Sequence, residues 1–167
     1  TNLEALNGGA VSLTAGGSVT ASGISGGSVF LQSGAGADVT LDGAVTATGA
    51  GNALTIAAGR NFINNAGAGA LNASNAAGRW LVYSASPSAN TLGGLSADFK
   101  RYGKTYAGYA PAAVAESGDG FLYSVVPNLT VRANDVSRVR GQDNPALTYS
   151  YSGLIGGDSL SDVLGVL

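Results

Sequence analysis

The chain has no cysteine, no histidine and no methionine among its 167 residues. Without cysteine there is no disulfide framework, no thiol nucleophile and no thiolate metal site. Without histidine the commonest general base and the commonest metal ligand are both missing. Charge is scarce too: charged residues make up 11%, against about a quarter in an ordinary soluble domain. The net charge of −2 exerts no strong pull toward nucleic acid or an anionic membrane, so neither is expected as a partner. No uninterrupted apolar run reaches the ~18 residues a membrane helix needs, so no membrane span is expected. The opening TNLEALNGG lacks the basic-then-apolar pattern of a signal peptide and reads as a piece cut from something longer.

What is present is glycine, 27 residues of it, beside a 45% apolar content. A glycine-rich, charge-poor chain with many β-branched residues points to many short strands rather than to disorder. The segments AVSLTAGG (10–17), SVTASG (18–23), SVFLQSG (28–34), DVTLDG (38–43), AVTATG (44–49) and ALTIAAG (53–59) share one pattern. Apolar and small polar residues alternate, and then glycine breaks the run. Period two places Val11 and Leu13, Val19 and Ala21, Val29 and Leu31, Val39 and Leu41, Val45 and Ala47, and Leu54 and Ile56 on one face. Phe30 falls on the outward side. The glycine pairs Gly8–Gly9, Gly16–Gly17 and Gly26–Gly27 read as corners between stacked turns of chain.

The expected fold is therefore all-β: a short right-handed parallel β-solenoid (β-helix) of about three or four coils, followed by a C-terminal cap module and a partial second β-domain. The coil register is not readable, because the spacing between segments is unequal. Residues 59–79 are richer in asparagine, which suits either hydrogen-bonded stacks or turns with left-handed backbone.

Aromatic content changes abruptly at GRWLVYS. Only Phe30 and Phe62 precede it, whereas Trp80, Tyr83, Phe99, Tyr102, Tyr106, Tyr109, Phe121, Tyr123, Tyr149 and Tyr151 stand from there on. Three regions follow: coils over 1–79, an aromatic-rich capping or transition module over 80–126, and the start of a further β-domain over 127–167. A stack of strands cannot end with apolar side chains facing water, so Trp80, Leu81 and Tyr83 are assigned as a structural cap.

Catalysis finds little to work with. GISGG (23–27) fits the nucleophile-elbow pattern around Ser25, but that chemistry needs a histidine base. Asp38 and Asp42, four strand positions apart, are separated by about 13 Å at standard rise, too far for a glycosidase pair. Asp135, Asp143, Asp158 and Asp162 fit neither an EF-hand loop nor a calcium-binding nonapeptide array, and read as turn-forming aspartates. Neither cofactor, metal nor enzymatic activity is expected. KRYGK and the tyrosines after it, taken as Lys100, Arg101, Tyr102, Lys104, Tyr106 and Tyr109, offer either a glycan or anion contact surface or packing for the cap. An outward threonine array resembling an ice-binding face is only weakly drawn, since Thr46–Ala47–Thr48 is its sole T-x-T unit.

The glycine-rich segments ending in GRWLVYSASPSANTLGGL resemble the passenger region of filamentous-haemagglutinin-like exoproteins of two-partner secretion systems. The stretch LTVRANDVSRVRGQDNPALTYSYSGLIGGDSLSDVL resembles an MBG-type (mucin-binding-like) repeat, matching at Gly141, Asn144, Pro145, Leu147, Thr148, Tyr149, Ser150, Gly153, Leu154, Gly157 and Asp158. Arg140 stands where that pattern usually has tyrosine. The resemblance implies a non-enzymatic segment of a secreted bacterial surface adhesin or fibre, exported through an outer-membrane transporter and used in adhesion or biofilm. The repeat stops about halfway at Leu167, and unpaired strand edges favour self-association, with 159–167 completing a sheet on a neighbouring chain. A host or matrix glycan is the other expected partner. The competing readings are a carbohydrate-binding module and a polysaccharide-active β-helix.

Overall fold

The computed structural model describes residues 1–4, 7–156, 158 and 159, which fall into two compact units, Thr1–Val126 and Pro127–Leu167. Alternation does build strands. In the first unit they are β1 (Asn2–Glu4), β2 (Asn7–Thr14), β3 (Val19–Ser22), β4 (Ile24–Gln32), β5 (Val39–Leu41), β6 (Val45–Ala47), β7 (Gly51–Ala57), β8 (Phe62–Asn64), β9 (Leu71–Ala73), β10 (Gly78–Ser84), β11 (Phe99–Tyr102) and β12 (Gly120–Tyr123). Two short 3-10 turns, Pro87–Ala89 and Pro111–Ala113, are the only helical pieces among the described residues. No helix among them is long and apolar enough to cross a membrane, which says nothing about a β-barrel.

The strands do not form the right-handed solenoid that the repeats suggest. They gather into an eight-stranded parallel sheet in the order β11-β12-β10-β7-β4-β6-β9, with β2 also on β4, which curls into a half-barrel. A separate four-stranded parallel sheet runs β1-β3-β5-β8. The physical reason lies in the glycines. Gly8–Gly9 and Gly26–Gly27, expected as corners, lie inside β2 and β4, so those strands run on through them. β4 is then long enough to pair with β6 through Ile24–Gly26 and with β7 through Val29–Gln32. Two would-be faces thus merge into one sheet that bends, and glycine inside a strand is what such a bend requires. The aromatic segment adds to the same sheet, because β10, β12 and β11 continue it.

Close approach explains several glycines that turn geometry does not. A Cβ on Gly34 would lie 2.0 Å from the Gly16 carbonyl oxygen, and one on Gly59 would lie 2.0 Å from that of Gly34. Gly9, Gly27, Gly49 and Gly78 stack in the same way.

Inside the first unit the predicted face is the buried one. Val19, Ala21, Val29, Leu31, Val39, Leu41, Val45, Ala47, Leu54 and Ile56 all lie in one apolar cluster, with Leu13 half-buried beside it. Toward β12 the interior changes from small residues to rings. Trp80 meets Phe121 edge-on with centroids 5.1 Å apart, Phe121 stacks on Tyr123, and Tyr123 packs against Tyr102. Phe62 reaches in from the four-stranded sheet to Phe121 at 6.3 Å.

In the second unit β13 (Thr130–Ala133) and β14 (Tyr149–Ser152) make an antiparallel pair in which Val131 opposes Tyr151 and Ala133 opposes Tyr149.

Candidate functional site

The outer face of the eight-stranded sheet carries the densest group of expected site residues. Register aligns outward side chains into rows across the strands: Phe30 lies beside Thr55, and Thr55 beside Leu81. The next row runs Gln32, Ala57, Tyr83, Leu122 and Arg101. An outward phenylalanine needs cover, and the loop after β11 supplies it. Tyr106 stacks on Phe30 with centroids 5.1 Å apart and meets Tyr83 edge-on at 5.5 Å. Leu81, Tyr83, Leu122 and Val114 form a second apolar cluster there, flanked by Phe99, Tyr106 and Tyr109.

The loop is pinned by hydrogen bonds. The Gly103 N–H donates to the Val125 carbonyl and the Lys104 N–H to that of Tyr123. The Tyr109 N–H donates to Thr105 O at 2.8 Å, and the Tyr83 hydroxyl donates to Tyr109 O at 2.9 Å. Burial pushes the Tyr83 phenol above its ordinary pKa, so it stays a neutral donor in this contact. The Lys104 ammonium lies 4.5 Å from the Tyr109 ring centroid. Between this loop and the ends of β4, β7 and β10 lies a half-open groove of about 330 Å³.

The expected contact set of Lys100, Arg101, Tyr102, Lys104, Tyr106 and Tyr109 is therefore divided. Lys104, Tyr106 and Tyr109 come together on the loop. Tyr102 is 3% exposed and points into the interior against Tyr123. Arg101 pairs with Glu116, and Lys100 sits half-buried on β11. Burial alone would raise Glu116, but a hydrogen bond from its own backbone N–H, the Arg101 side chain and the charge of Arg79 together outweigh that and hold it below the ordinary value.

The expected cap residues divide between two faces of one strand. Trp80 is 3% exposed and faces the interior, whereas Leu81 and Tyr83 belong to the outer cluster. β10 is an inner strand, with β12 and then β11 lying beyond it. Pairing with β7 shifts register between Gly78 and Trp80. There the Trp80 N–H donates to Asp119 Oδ1 at 2.8 Å, and the Asp119 N–H donates to Asp98 Oδ2 at 2.7 Å. Burial raises Asp119 above its ordinary value, with Asp98 adding to the effect. Arg79 reaches the carbonyls of Glu116 and Val114.

The carboxylates weighed for catalysis have separate partners. Asp38 accepts from both Nε and Nη2 of Arg60, which keeps its pKa below the ordinary value, and Asp42 accepts from Asn65. Ser25 sits in β4 between Asn7 and Thr46. Among the described residues no three acidic side chains gather as a metal site, and Asp162 lies outside them. Residues 160–167, most of the segment expected to complete a neighbour's sheet, also lie outside them.

Sequence reasoning did not single out Gln32, Ala57 or Glu116, and it set Phe30 aside as an exception. That exception was the available signal: an outward aromatic on an otherwise polar face marks a place where something covers the sheet.

Residues 129–167 match the family described as MBG domain (YGX type). Within the matched stretch Gly141 and Gly153 hold positive φ, and a Cβ on Gly153 would strike the Asn128 carbonyl. No curated protein and no solved structure matches the chain. Domains of this type typically belong to extracellular or surface proteins, and the match suggests such a repeat at 129–167.

Proposed function

We propose that the chain is a non-enzymatic structural segment of a secreted bacterial surface adhesin or extracellular fibre, of the filamentous-haemagglutinin-like, two-partner-secretion kind. The observation that carries this reading is the MBG match over 129–167 next to a unit made almost wholly of parallel strands in register. The likeness of GRWLVYSASPSANTLGGL to such passenger regions supports the finer assignment. Its work is mechanical: cross-strand hydrogen bonds and a closed interior make a stiff spacer, and surfaces on it make contacts. In this reading the precursor passes an outer-membrane transporter, and the mature segment associates with copies of itself through open strand edges.

Three measurements test it. Antibody against this chain should label intact cells of the source bacterium as strongly as permeabilised ones; label only after permeabilisation overturns the surface assignment. Sedimentation velocity over a wide concentration range should show reversible association, and a strict monomer throughout removes that part. Incubation with neutral and anionic glycans should release no shorter products.

A further inference from the structure

The groove beside the loop after β11 has features that a structural spacer does not need. At about 330 Å³ it lies at the small end of ligand pockets, large enough for one sugar ring. Its floor is kept low by Ala57, which shares an outward row with Gln32 and Tyr83. Tyr106 lines it as an aromatic wall, fixed in place by Phe30 and Tyr83. Gln32 and Thr105 bring an amide and a hydroxyl to the lining.

Charge at the groove has one sign. Lys104 lines it, and no Asp or Glu does so among the described residues. Elsewhere in the unit Arg60 and Arg101 each hold a carboxylate, and Arg79 holds backbone carbonyls. Among the described residues no carboxylate pairs with Lys104; its ammonium lies over the Tyr109 ring. An ammonium held this way beside an aromatic wall and neutral hydrogen-bonding groups suits a ligand with hydroxyls, an apolar ring face and one negative charge.

We infer that this groove binds a sugar unit bearing a carboxylate, as in a uronate-containing glycan, with Lys104 meeting the carboxylate, Tyr106 the ring face, and Gln32 and Thr105 the hydroxyls. The pinned loop means little ordering is needed on binding, so affinity comes from contacts already in place. This goes beyond the spacer reading and stands apart from it: a silent groove leaves the surface-labelling and association results untouched.

The test is a ¹⁵N-detected NMR titration of the whole chain with a tetrasaccharide of alternating glucuronate and N-acetylglucosamine, and with the neutral N-acetylglucosamine tetramer. Shifts should centre on residues 32–35, 57–59, 83–85 and 104–107, with the acidic sugar binding at least tenfold more tightly. Lys104→Gln should remove that preference, Lys104→Arg should retain it, and Ala57→Phe should block both sugars. A spectrum of dispersed, otherwise unchanged peaks shows that each variant is folded. No shifts at millimolar sugar, shifts elsewhere, or equal affinity for both sugars unaffected by Lys104→Gln would each overturn the inference.

Discussion

Thr1–Val126 and Pro127–Leu167 use the same alternation of residues to different ends. In the first unit, strands as short as β5, β6 and β8 bury apolar positions completely at Val39, Val45 and Phe62. In the second, β13 and β14 put Val131, Ala133, Tyr149 and Tyr151 on one face and Thr130, Arg132, Ser150 and Ser152 on the other. Yet Val131, Tyr149 and Tyr151 are 57%, 58% and 46% exposed. Alternation therefore tells which face is apolar, not whether it is closed. Closure in the first unit comes from many parallel neighbours sharing one interior, whereas two strands alone are marginal in water.

The contrast can be broken by side-chain removal. Trp80→Ala should cost the first unit about 3–5 kcal/mol, the usual result of emptying a large aromatic site in a close-packed core. Tyr151→Ala should change stability by no more than about 0.5 kcal/mol, as for an open surface position. Chemical denaturation of both variants decides it: an equal loss from Tyr151→Ala would mean that the hairpin face is closed in solution.

Glycine substitutions sharpen the same point at smaller scale. Gly34→Ala and Gly59→Ala press a methyl group against a neighbouring carbonyl and should each cost about 1–3 kcal/mol. Gly16→Ala meets nothing within 4 Å and should be tolerated. Equal melting temperatures for all three would mean that the stacked strands separate more readily than their spacing implies. Asp119→Ala leaves the Trp80 N–H without its acceptor and should cost about 1–3 kcal/mol, while Asp119→Asn keeps an oxygen there and should cost less. Thermal unfolding of the pair checks the order.

These results also show how far the residues speak for themselves. Strands and the inward face were legible because period two is a local property, whereas which strand pairs with which was not, because the segments are unequally spaced. The half-barrel was not, because Gly26–Gly27 has the same composition whether it ends a strand or bends one. Tyr102 and Tyr106 look alike in sequence, yet the first enters the core and the second covers Phe30. Only the register of β11 on β12, and the loop that follows, separates them. Asparagine took the expected turn role and, in place of the expected stacks, a bond to backbone carbonyls. Asn75 accepts from Ala77 in a local turn, whereas buried Asn64 donates to the carbonyls of Gly67 and Leu92 and joins distant stretches of chain.

The smallest expected effect is the response to acid, and its sign follows from three carboxylates, all in the first unit. Asp38 and Glu116 have lowered pKa values in the fold, so the stability they contribute is present above their ordinary values of 3.8 and 4.5. It is lost as pH falls through the folded values. Asp119 is raised, so its contribution is complete below 3.8 and is lost as pH rises through its folded value. Two groups therefore weaken the first unit in acid while one opposes them, and partial exposure of the pairs keeps the net change small. The melting temperature of the Thr1–Val126 transition should fall modestly between about pH 5 and pH 3. Asp119→Asn removes the opposing contribution and should steepen that fall, whereas Asp38→Asn should flatten it. The reverse order would mean that Asp119, not the two ion pairs, governs how this unit answers to pH.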